Sequence, residues 1–158
     1  MFQQPAEMPI GRELSVVART VSRAFDTALV AAGGSQSTWL VLLALKTRPT
    51  ANQREIAADV GIQGATLTHH LNGMEADGLV TRRRDPNNRR VHVVELTDAG
   101  EAAFLRLRGV AVAFDQRLRA GFTDGELSRL RGLLVRLGAN VADTVGADES
   151  TPTAAEGS

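Results

Sequence analysis

Between Asn52 and Gly78 two short stretches of helical periodicity are punctuated by glycines, and this constrains the fold more than any other feature of the chain. Asn52 and Glu55 stand three residues apart ahead of Ile56-Ala57-Ala58-Asp59-Val60. That is capping-box spacing, in which each side chain satisfies a backbone N–H at the other position. Gly61 stops this first helix, Ile62 follows, and a second helix is expected from about Gly64 to Asp77, stopped by Gly78. Two short helices joined by a glycine-containing turn outline a helix-turn-helix.

At 100° per residue, the second helix divides its side chains sharply. Leu67, His70, Leu71 and Met74 share one face, suited to packing on the preceding helix. Ala65, His69 and Asn72 point the opposite way, flanked by Thr66, Thr68 and Gly73. A solvated face usually carries Glu, Lys and Arg; this one is small and polar throughout. Close approach to a major groove needs small side chains, and base reading needs donors and acceptors such as Asn, His and Thr.

Leu79 to Arg84 and Arg89 to Leu96 are two β-prone stretches around Asp85-Pro86-Asn87-Asn88, which reads as a hairpin. Residues 82–90 (RRRDPNNRR) hold five Arg and one Asp, a local charge of +4. Arg82, Arg84, Arg89 and Arg90 are therefore candidate contacts to a phosphate backbone or a narrow minor groove. Charged edge protection is the plainer explanation, but five arginines in nine residues exceed what an edge needs. Arginine over lysine carries little weight by itself, since the chain has seventeen Arg and one Lys.

The flanks are helical. Leu14, Val17, Val21, Phe25 and Ala28 define an amphipathic helix over 11–32, ended by Gly33-Gly34. Trp39 to Leu45 is apolar nearly all round, hence a buried helix capped by Ser37 or Thr38 and closed by Pro49. Thr97 caps a long helix through about Ala120, with Ala103, Leu107, Val110 and Phe114 on one face. Thr123 and Glu126 form another capping box, ahead of Leu127, Leu130, Leu134, Leu137 and Val141. Residues 146–158 have the composition of a disordered acidic tail.

Composition removes other classes. The net charge of the 158-residue chain is zero, but a −4 stretch over 140–158 balances the basic spot. With no Cys, disulfides and thiolate chemistry are excluded. No apolar run reaches membrane-spanning length and no signal-like start is present, so a cytoplasmic location is expected. Three His and no clustered carboxylates leave no nucleophile–base pair to assemble, so an enzyme is not expected. His69 and His70 are adjacent, about 100° apart on a helix, which is poor geometry for shared metal ligation. No metal or other cofactor is expected.

The segment from Asn52 to Gly100 resembles the MarR family of bacterial winged-helix regulators. The matching residues are Glu55-Ile56-Ala57, Thr66-Leu67-Thr68, the run Met74 to Arg82, the wing run Asp85 to Arg90, and Leu96-Thr97-Asp98-Ala99-Gly100. Flanking helices in the right order extend the likeness over about residues 11–145. The resemblance implies a mainly α fold with a small β-hairpin wing. A winged helix-turn-helix is then joined to a helical dimerisation region built from N- and C-terminal helices. It divides the chain into 1–36 (N-terminal dimerisation helix), 37–97 (DNA-binding region), 98–145 (C-terminal dimerisation helices) and 146–158 (tail).

By the same resemblance the chain is a homodimeric repressor. It binds a pseudo-palindromic double-stranded DNA operator and is released by a small aromatic or anionic effector. Thr66, Thr68, His69 and Asn72 map to groove-facing positions and Arg90 to the wing arginine. Trp39, Arg19 and Arg23 are candidates to line an effector pocket, with plain core packing the competing role for Trp39. Two departures stand out: Asn88 replaces the acidic residue that usually orients the wing arginine, and Gln63 replaces a Ser or Thr cap. Two alternatives lie nearby: a winged helix that binds protein, disfavoured by a wing with no apolar anchor, and a metal-responsive member of the same family.

Overall fold

The computed structural model describes residues 8–49, 51–85 and 92–145. The wing tip with Arg89 and Arg90, and the 146–158 tail, lie outside the described residues. The elements run α1 (Ile10–Ala31), α2 (Gln36–Thr47), α3 (Gln53–Val60), α4 (Gly64–Ala76), β1 (Val80–Arg84), β2 (His92–Leu96), α5 (Asp98–Arg119) and α6 (Asp124–Val145). This is the helix, helix, helix-turn-helix, hairpin, helix, helix order read from the sequence.

Local signals decide most boundaries. The Asn52–Glu55 capping box is closed on both sides: the Glu55 N–H donates to Asn52 Oδ1 at 3.0 Å, and the Asn52 N–H donates to Glu55 Oε2 at 2.8 Å. Thr123 and Glu126 pair in the same manner. The start of α2 differs from expectation. Ser35, not Ser37 or Thr38, is its cap, accepting the Thr38 N–H at 3.1 Å. A run of Ser-Gln-Ser-Thr offers three candidates, and the choice is fixed by where the α1–α2 turn ends. Gln63 gives α4 no side-chain cap bond.

At the end of α4, Gly78 takes φ +71°, while the Leu79 N–H reaches Met74 O at 2.8 Å and the Gly78 N–H reaches Glu75 O at 3.0 Å. This paired closure needs a left-handed residue, which glycine adopts without a Cβ penalty. It turns the chain directly from α4 into β1.

One unit, spanning residues 1–116, holds the core. Leu29 of α1, Val41, Leu42 and Leu45 of α2, Ile56 of α3, Leu67 and Leu71 of α4, Val80 and Val94 of the hairpin, and Leu107 of α5 are all sealed from solvent. The strands pair antiparallel, with Val80 opposite Leu96 and Arg84 opposite His92. Two consecutive residues of β2, Val93 and Val94, are buried, which breaks the alternation of a one-sided strand. The cause is a second neighbour. Asn52 bridges to Val93, and the Val94 N–H donates to Ala51 O at 3.1 Å, so β2 lies between β1 and the start of α3. The second unit, 117–158, contains α6.

The hairpin base is locked to α5. The Thr97 hydroxyl donates to Gly78 O, the Thr97 N–H to Leu79 O at 3.1 Å, and the Gly100 N–H to Thr97 Oγ1 at 3.0 Å. A Cβ on Gly100 would collide with the Leu79 carbonyl oxygen, a backbone atom that cannot swing aside. Gly100→Ala should therefore destabilise the fold by about 3 kcal/mol, the upper end of overpacking costs. Gly73→Ala, in α4 with nothing within 4 Å of the added atom, should stabilise it by about 1 kcal/mol. Urea denaturation of both variants checks the pair. Equal midpoints would mean that the close approach at Gly100 is absent.

Candidate nucleic-acid interface

Helix α4 divides as its wheel requires. Leu67, Leu71 and Met74 are buried and His70 is partly buried, while Thr66, Thr68, His69, Asn72 and Gly73 are exposed. The Thr68 hydroxyl donates to Gly64 O at 2.9 Å within the helix. The His69 and His70 rings are tilted 57° with centroids 5.9 Å apart. Among the described residues no group of three or more His, Cys, Asp or Glu side chains is placed to hold a metal ion. α4 thus presents one continuous face of short polar side chains.

The three arginines of β1 have different fates. Arg82 turns back onto α4: its Nε donates to Glu75 Oε2 at 3.0 Å, its backbone N–H to Glu75 Oε1 at 3.2 Å, and Nη2 to Asn72 Oδ1 at 2.7 Å. Its side chain is only 21% exposed. Arg83 makes a two-pronged pair with Glu95 across the sheet, at 2.7 and 2.6 Å. Arg84 is exposed and, among the described residues, forms no ion pair. Sequence reasoning grouped Arg82 with Arg84 as cations facing DNA. The structure holds Arg82 against α4, because the fold brings a carboxylate seven residues upstream alongside it. Glu75, Glu95 and this junction were missed; no sequence-local signal links residues 75 and 82 across a helix-to-strand turn.

These pairings fix the charge states. Hydrogen bonding from Arg82, reinforced by its charge, holds the Glu75 carboxyl below the usual glutamate range against the opposing effect of desolvation. Arg83 does the same for Glu95, and Glu95 in turn raises Arg83. Beside this junction is a cavity of about 350 Å³ lined by Gln53, Glu75, Arg82 and His92. The Gln53 Nε2 is buried with no hydrogen-bond partner among the described residues.

The candidate effector residues are not gathered in this way. Trp39 is 8% exposed and stacks on Phe104, with ring centroids 5.7 Å apart and planes 9° from parallel, which is core packing. Arg19 and Arg23 are exposed one turn apart on α1. A second cavity, about 300 Å³, is lined by Leu45, Lys46, Pro49, Glu95, Leu96 and Glu101, and includes none of these three. Lys46 bridges it by donating to both Glu101 carboxylate oxygens at 3.1 and 3.0 Å. Among the described residues no single helix is long and apolar enough to cross a membrane.

A helix-turn-helix whose second helix exposes a short polar face, followed by an arginine-bearing hairpin, is a winged helix-turn-helix of the DNA-binding type. Residues 35–92 match the family model described as the MarR family. The chain is similar to a MarR-family transcriptional regulator from Rhodococcus sp. RHA1, at 28% identity over 84% of this chain and 94% of that one, with a TM-score of 0.72. It is similar to CouR from Rhodococcus jostii RHA1, solved with p-coumaroyl-CoA, at 28% identity, 84% and 93% coverage and a TM-score of 0.71. The repressor CouR bound to a 23-mer DNA duplex matches at 28% identity, 82% and 92% coverage and a TM-score of 0.75. Residues 35–92 therefore carry a MarR-family match, set within a winged helix-turn-helix fold like that of MarR-family transcriptional regulators.

The depressed carboxyls yield a pH expectation. A carboxylate whose folded pKa is lowered adds stability that is complete above its unfolded pKa and is lost as pH falls through the folded value. Carbon-13 NMR of the glutamate carboxyls should show Glu75 and Glu95 titrating below the usual range. Arg82→Ala should return Glu75, and not Glu95, toward its ordinary value. Arg83→Ala should do the reverse. Titration of Glu75 unmoved by loss of Arg82 would remove the junction.

Proposed function

We propose that this chain is a non-enzymatic repressor that acts in the cytoplasm as a homodimer on a pseudo-palindromic operator and is released by a small aromatic or anionic ligand. The observation that carries the reading is the exposed face of Thr66, Thr68, His69 and Asn72 over a buried Leu67-Leu71-Met74 stripe, with Arg84 on the adjoining strand. In this reading α4 enters the major groove. Arg84, with Arg89 and Arg90 at the wing tip, meets phosphate or the minor groove. That a similar protein has been solved on a 23-mer duplex supports it.

The division of labour follows the same reading: 37–97 is the reading head, 1–36 and 98–145 supply the dimer, and 146–158 is an acidic tail. Exposed apolar residues at helical spacing support the dimer. Ile10, Leu14 and Val17 on α1, and Leu130, Leu134 and Val141 on α6, are all uncovered in the single chain. Such patches mark association surfaces. Release by a ligand is supported by the likeness to CouR, whose structure holds a coenzyme A thioester. Arg19 and Arg23, exposed one turn apart on α1, would meet an anionic group on such a ligand, while Trp39, the third candidate, is packed on Phe104 in the core.

Selection of bound duplexes from a random pool tests the proposal. The expected product is an inverted repeat with half-sites about one helical turn apart. Failure to enrich any duplex at low ionic strength would end this reading. Arg84→Ala should weaken binding to all sequences alike and lower the slope of log affinity against log salt by about one. Leu130→Asp should convert the dimer to a monomer in sedimentation by placing a charge in an apolar interface. A variant that still sediments as a dimer would move the interface elsewhere.

A further inference from the structure

Asn72 and Arg82 meet where the reading helix adjoins the wing. Arg82 Nη2 donates to Asn72 Oδ1 at 2.7 Å, and the guanidinium is itself held by Glu75 through Nε at 3.0 Å. Its backbone N–H is tied to the same carboxylate at 3.2 Å, so it has little freedom to swing away. A guanidinium has five N–H donors and no acceptor. Only the oxygen end of an amide can face it. The nitrogen end of Asn72, with its two donors, is therefore turned from Arg82. Among the described residues no acceptor lies within hydrogen-bonding distance of that nitrogen, and Asn72 is exposed.

We propose that Asn72 is a specificity-determining residue whose amide is held by Arg82 with its nitrogen donors turned outward and its oxygen already engaged, so that it favours an acceptor edge in the major groove, guanine O6/N7 or thymine O4. The assignment rests on the DNA-binding reading above. An unconstrained asparagine pairs with adenine by placing its oxygen and nitrogen side by side, accepting from N6 and donating to N7. Here the Arg82 guanidinium already takes one of the two acceptor positions of Oδ1, so a side-by-side pairing would have to share that oxygen with it. Glu75 and Arg82 are positioning residues: they set the orientation of the amide without touching the base.

The test is selection from a random-core duplex pool by the full chain and by Asn72→Ala, Asn72→Asp and Arg82→Lys variants. The wild type should enrich G or T at one position in each half-site. Asn72→Ala should level that position, with the preferred base losing its advantage by roughly tenfold, as expected for one base contact, while other positions keep theirs. Asn72→Asp, which presents acceptors only, should turn the same position toward C or A, whose N4 and N6 amino groups donate. Arg82→Lys cannot hold Glu75 and Asn72 together, so it should admit adenine there. A merely structural role for Arg82 would lower binding to every sequence equally.

Enrichment of adenine by the wild type at the position that Asn72→Ala levels would overturn the locked orientation. So would an Asn72→Ala preference unchanged at every position. Should Arg82→Lys fail to fold, the two exposed Asn72 substitutions still decide the matter. Failure of the wild type to enrich any duplex is a separate result: it overturns the DNA-binding reading, and this assignment with it.

Discussion

The winged helix-turn-helix depends on a closure of three backbone and hydroxyl contacts, where Thr97 and Gly100 seat the start of α5 on the Gly78–Leu79 turn. Two antiparallel strands alone are marginal in water. This hairpin persists because its base is tied at both ends, through Leu79 to the exit of α4 and through Thr97 to the entry of α5. Its inner residues Val80 and Val94 complete the core at the same place. The closure admits no side chain at residue 100, since the Leu79 carbonyl fills the space a Cβ would need. Where the wing stands relative to α4 is thus set by backbone contact, which is stiffer than any side-chain packing.

What could be read in advance was what the chain encodes over three to eleven residues. The capping boxes at Asn52–Glu55 and Thr123–Glu126, the glycine stops and the two-faced wheel of α4 are written in adjacent residues, and the folded chain uses them as written. Ser35 was passed over because neighbouring hydroxyl residues compete, and only the turn before them decides. The double burial of β2 was hidden for another reason. Its second neighbour is a single bridge at Asn52, forty-one residues upstream, with no strand signal of its own.

Charge was the least legible property. The run of β1 reads as three free cations when taken alone, but folding delivers Glu75 to Arg82 and Glu95 to Arg83. One glutamate lies across a helix-to-strand turn and the other on the facing strand. Neither distance is marked in the sequence, and each removes a positive charge from the count. Asn72 is drawn into the same cluster, which is why its chemistry differs from that of an asparagine standing free on a helix.

This pairing bears on how a chain with no net charge could discriminate among sequences. Non-specific affinity for duplex DNA grows with the number of phosphates neutralised, since each released counterion contributes to it. Arginines already matched to carboxylates add little to that term. In the proposed reading, specific affinity adds base contacts from the α4 face, which the pairing leaves intact and, at Asn72, orients. Reducing the first term while keeping the second widens the ratio between operator and bulk DNA, and that ratio, rather than raw affinity, determines occupancy when competing sites are abundant. In that reading, an Arg82 left free would strengthen binding everywhere and sharpen it nowhere.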